Sequence, residues 1–69
     1  MLPNGLYDLM MQMVVENKSL WQIKHNYMKD AEDCPDCMDF WRRMIEDKES
    51  HIRELDSLIR THFSQKVAV

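Results

Sequence analysis

A glutamate set into an apolar helical stripe, followed much later by an aspartate and a histidine four residues apart, is the constellation best placed to do chemistry. Leu6, Leu9, Met13, Glu16, Leu20, Ile23 and Tyr27 recur at a 3-4 spacing, which is one face of a helix, and Glu16 alone interrupts it with an acid. Helix formation does not require a carboxylate there. Burying one is costly unless it is paired or binds a metal. Asp47 and His51 share a face of a second helix. One Glu, one Asp and one His per hairpin, doubled by a two-fold axis, would supply a carboxylate-bridged di-iron site inside a four-helix bundle. The competing reading is that Glu16 pairs with Lys48 or protonated His51 as a buried contact that fixes register.

Cys34-Pro35-Asp36-Cys37 is the second candidate. A CxxC pair at a helix N-terminus brings two sulfurs within reach of one another, and the helix dipole favours the thiolate. Three readings stay open. The pair is a redox dithiol, or half of a zinc site completed by a second hairpin, or a turn that happens to contain cysteines. Two thiolates alone leave a tetrahedral zinc ion short of ligands.

These residues need elements to hold them. Asn4 is expected to cap a first helix over 5–32, which contains no proline and has its one glycine, Gly5, at the start. The turn spans 33–37, with Pro35 at a first helical position after Cys34 as cap. A second helix is expected over 36–63, and the tail 64–69, which has no period, is expected to fray. A connection this short forces the helices antiparallel. With the turn centred on Cys34, Glu16 falls level with Ile52 beside His51, Tyr27 with Trp41, and Leu9 with Ile59. The fold class is all-α, a two-helix hairpin.

A further stripe on the first helix, Tyr7, Met11, Val14, Trp21, His25 and Met28, has no partner within the chain. It predicts contact with another copy, giving a four-helix bundle with Met11, Val14, Trp21, Met28 and Trp41 at the interface. A 69-residue chain with 45% apolar residues buries too little surface to be stable alone, so a homodimer or higher homo-oligomer is expected. The seven methionines read as core filling, with Met10, Met13, Met28, Met38 and Met44 on or beside the apolar stripes, Trp21 and Trp41 as packing anchors, and His25 and His62 as histidines on apolar flanks.

The net charge of -3, with bases alternating with acids along both helices, argues against a nucleic-acid partner. No apolar run approaches the roughly 20 residues of a membrane span. There is no basic region followed by an apolar core at the N-terminus, so the expected compartment is the reducing cytoplasm. No glycine-rich phosphate loop or nucleophilic triad is present.

From Glu16 to Arg60 the sequence resembles half of a ferritin-like protein, closest to the two-helix encapsulated ferritins and more distantly to rubrerythrins. The matching elements are Glu16, Trp21, Tyr27, Asp30-Ala31, the run Glu46-Asp47-Lys48-Glu49-Ser50-His51, and the apolar Ile52, Leu55, Leu58 and Ile59. The resemblance implies iron held between subunits by Glu16, Asp47 and His51, a ferroxidase or iron-storage role, and an encapsulating shell protein as partner. The chain departs from the family three residues before His51, where the second carboxylate is replaced by Lys48. The alternative function is a non-enzymatic helical interaction module whose Cys34/Cys37 turn is a zinc or redox contact.

Overall fold

The computed structural model describes residues 4–67. It is an all-helical antiparallel hairpin, 54 × 17 × 14 Å. The first arm is α1 (Asn4–Gln22), a π-helical segment (Ile23–Tyr27) and a last α-turn, α2 (Met28–Asp30). The second is α3 (Pro35–Val67). Asn4 is itself helical rather than a cap outside the helix, and the first arm ends at Asp30, short of Glu32. Ala31 closes that arm, its N–H donating to the carbonyls of Tyr27 and Met28.

Pro35 begins α3 because its missing N–H costs nothing in a first turn. The Met38 N–H donates to the Cys34 carbonyl at 2.9 Å and the Cys37 N–H to Cys34 Sγ at 3.2 Å, so Cys34 is the cap. Contrary to the expected end at Phe63, α3 continues to Val67. Of the tail expected to fray, Ala68 and Val69 lie outside the described residues.

Leu6, Ile23 and Ala31 are buried, and Leu9, Met13 and Leu20 are half-buried with them along the inner face of the first arm. Trp41, Met44, Ile45, Ile52, Leu55 and Ile59 supply the facing stripe of α3. The 3-4 stripe fails at its end. Tyr27 is exposed, and the next inner residues are half-buried Met28 and buried Ala31. The π segment is the cause: one extra residue in a turn moves the inner face on by one position. Without it the face would pass through Asp30, whose charge would have to be buried. Tyr27 still meets Trp41, with ring centroids 5.0 Å apart, as its level in the hairpin requires.

The opposite side of α1 is open. Tyr7, Met10, Met11, Val14, Val15 and Trp21 are all exposed, Trp21 to 53%. His25 stacks on Trp21 at 4.6 Å between centroids and is exposed as well. Of the residues expected at an interface, Met11, Val14 and Trp21 are thus open, whereas Met28 and Trp41 are half-buried within the hairpin. None of the described helices is long and apolar enough to cross a membrane.

Candidate functional site

Among the described residues Glu16 is the buried ionisable one, 8% exposed, held on the inner face between Met13 and Leu20. Lys48 reaches across from α3 and donates to Glu16 Oε2 at 3.0 Å. Gln12, one turn earlier on α1, donates to Oε1 at 3.2 Å. His51 Nδ1 lies 3.8 Å from Oε1, beyond hydrogen-bond length, with its side chain 59% exposed. The Lys48 hydrogen bond holds the Glu16 carboxyl below its ordinary value, burial opposes this, and Gln12 and the nearby charges of Lys48 and His51 add to it. Glu16 is therefore a carboxylate at neutral pH, with an ammonium on one oxygen and an amide on the other.

The sequence placed Glu16 and His51 together, and the geometry brings them side by side. Asp47 does not join them. It is exposed, while the adjacent Lys48 turns inward and is only half-buried. On a helix consecutive side chains diverge by about 100°, so Lys48 and Asp47 cannot both face Glu16 without a local distortion, and α3 is regular throughout. Among the described residues no three His, Cys, Asp or Glu side chains gather as a metal-binding group. An ammonium standing on Glu16 does not suit a cation site, so within one hairpin this donor set does not fit iron. Gln12 was missed from the sequence. The signal was present: a polar residue four before a buried acid on the same helical face.

At the other end of the hairpin, Cys34 and Cys37 are joined as a disulfide across the first turn of α3, with Cα atoms 5.2 Å apart. Cys34 is half-buried and Cys37 exposed. A shallow depression beside them is lined by Tyr27, Asp30, Ala31 and Trp41. With the sulfurs bonded to each other, neither is available to zinc in this state. A second shallow groove runs along the edge of the Glu16 pair, lined by Gln12, Glu16, His51, Glu54, Leu55 and Leu58.

Comparison with protein-family models, curated proteins and solved structures gave no match. The likeness to ferritin-like proteins accordingly rests on the residues quoted for it.

Proposed function

We propose that this chain is a helical self-association module: two hairpins dock through the outer face of α1 to form a four-helix bundle, and Glu16–Lys48 sets the register of the two helices within each hairpin. The observation that carries this is the row Tyr7, Met10, Met11, Val14, Val15 and Trp21, exposed on a helix whose opposite face is already used. The accessible surface is 5412 Å², against roughly 4,600 Å² for a compact monomer of 8.4 kDa. The excess, roughly 800 Å², is of the order that one partner buries in a standard interface.

The occupant of that face is a second copy. Two-fold interfaces are self-complementary, and Val14 lies midway between Tyr7 and Trp21, the aromatic ends of the row. An antiparallel pairing centred there sets Tyr7 of one copy level with Trp21 of the partner subunit. It also sets Met10 level with the partner's Lys18, whose aliphatic stem covers apolar surface while its ammonium reaches water. Sedimentation over a concentration series tests the reading. A dimer that dissociates on dilution is expected, and a folded monomer at hundreds of micromolar would refute it.

A second reading uses the same hairpin differently: iron bound between subunits by Glu16, Asp47 and His51, as the ferritin-like resemblance implies. The adjacency of Glu16 and His51 favours it. It requires Lys48 to leave Glu16 and Asp47 to turn inward, and for that reason it stands second. Anaerobic Fe(II) titration separates the two.

A further inference from the structure

The turn carries chemistry that the self-association reading leaves unused. We propose that the Cys34–Cys37 disulfide is a thiol–disulfide exchange site, open at Cys37 and selective for cationic thiols.

Access is asymmetric. Cys37 is exposed and Cys34 half-buried, so an incoming thiolate reaches the Cys37 sulfur first. The leaving sulfur is then Cys34, and its place is prepared. Cys34 Sγ already accepts the Cys37 N–H at 3.2 Å at the N-terminal end of α3, a helix of 33 residues. A thiolate formed there keeps that hydrogen bond and lies at the positive end of the helix dipole. The cap and the helix therefore survive opening of the bond. The reaction is site chemistry and does not require unfolding.

An external thiolate attacks Cys37 Sγ, the Cys34–Cys37 bond breaks, and its electron pair leaves on Cys34 as a thiolate. The product is a mixed disulfide on Cys37. A second external thiol, as thiolate, attacks the external sulfur of that mixed disulfide and releases Cys37 as a thiolate. Two external thiols are oxidised to one disulfide, the protein pair is reduced, and the two protons end on Cys34 and Cys37. The same path run backwards oxidises the protein at the expense of an external disulfide.

Charge selects the thiol. From Asp30 to Asp39 the chain carries five carboxylates and no base. Asp39 is taken up by Arg42 at 3.0 Å, while Asp30, Glu32, Asp33 and Asp36 are exposed around the turn. The nearest bases outside the run are Lys29, Arg42 and Arg43, and they only partly offset it. A thiol carrying positive charge is drawn to this end and an anionic one repelled, by a combined factor of about tenfold at low ionic strength. The depression formed by Tyr27, Ala31 and Trp41 offers apolar contact beside the sulfurs. A basic peptide thiol fits both features.

The test uses the full-length oxidised protein with cysteamine or 3-mercaptopropionate as probe. Opening is followed by alkylation and mass measurement, and each rate is normalised to the probe's thiolate concentration. The expected result is faster opening by cysteamine, by about tenfold at low salt, with the ratio collapsing near 0.5 M salt. Circular dichroism should show α3 intact in the reduced form. Cys34→Ser treated with cystamine should accumulate a stable mixed disulfide on Cys37, because the resolving thiolate is gone. Opening that occurs only when the helices melt would overturn the proposal and make the bond a structural staple. Equal, salt-independent rates for the two probes would overturn the selectivity. Neither result bears on sedimentation, so failure here is distinguishable from failure of the self-association reading.

Discussion

Lys48→Met tests the reading of Glu16 most directly. The substitution keeps the unbranched stem of Lys48 and removes the ammonium that donates to Glu16 Oε2 at 3.0 Å. At an effective dielectric constant of about 20, two unit charges at that separation attract by about 5.5 kcal/mol before desolvation is subtracted. A hydrogen bond to a charged group nets about 1.5–3 kcal/mol. The pair lies at the edge of a structure only two helices thick, so the lower part of that range applies, and a loss of about 2 kcal/mol is expected. The single variant leaves Glu16 with Gln12 and a distant His51, whereas Glu16→Leu combined with Lys48→Met removes both buried charges. The double variant should recover most of the loss or exceed wild type, since well-packed apolar residues commonly equal a buried ion pair. The assay is urea unfolding at pH 7, with all four proteins of the cycle at one fixed concentration because association shifts the midpoint. A single-variant loss below about 0.5 kcal/mol, or simple additivity, would refute the claim that this pair fixes register.

Glu16 also ties stability to pH. Its folded pKa lies below the ordinary 4.5, so its contribution is present above that value and is lost as pH falls through the folded pKa; Lys48→Met should flatten acid unfolding in that window. Val14→Glu places like charges across the two-fold axis and should weaken dimerisation by at least about 100-fold in sedimentation, with helix content lost on dilution at concentrations where wild type keeps it. Wild-type protein should take up no stoichiometric Fe(II) under anaerobic titration, whereas Lys48→Glu restores a Glu-x-x-His spacing; tight uptake by wild type would reinstate the iron reading. Deleting Asn26 removes the extra residue of the π segment and leaves Met28 and Ala31 facing inward, so the variant should fold with unchanged or higher melting temperature.

The hairpin, its antiparallel sense and the level of Tyr27 with Trp41 were legible because a long apolar period and a proline after a turn are local signals. The π segment was not read, yet the stripe contained its mark. Continuing the 3-4 spacing beyond Tyr27 reaches Asp30, while Met28 and Ala31 lie one step further on. That Glu16 needs a partner followed from its place in the stripe. Which of Asp47, Lys48 and His51 faces it did not, since adjacent positions on α3 differ by a rotation that depends on how the two helices pack. The end of the second helix is not legible for a related reason. Periodicity stops when a face no longer has a neighbour, but backbone hydrogen bonding does not.

The order of contacts along the hairpin bears on how it forms. Tyr27 and Trp41 are 14 residues apart, Lys24 and Glu49 25, and Glu16 and Lys48 32. Lengthening a closed loop from 14 to 32 residues adds only about 0.7 kcal/mol of closure entropy. Once the aromatic pair beside the Cys34 cap has met, each later contact is nearly free of that cost, and the arms close from the turn outwards. Residues near the turn are then native-like in the transition state and Leu6 is not, so Trp41→Leu should slow folding while Leu6→Ala mainly speeds unfolding. The open ends, where α1 shows its apolar outer face, are the last part of each chain to become ordered.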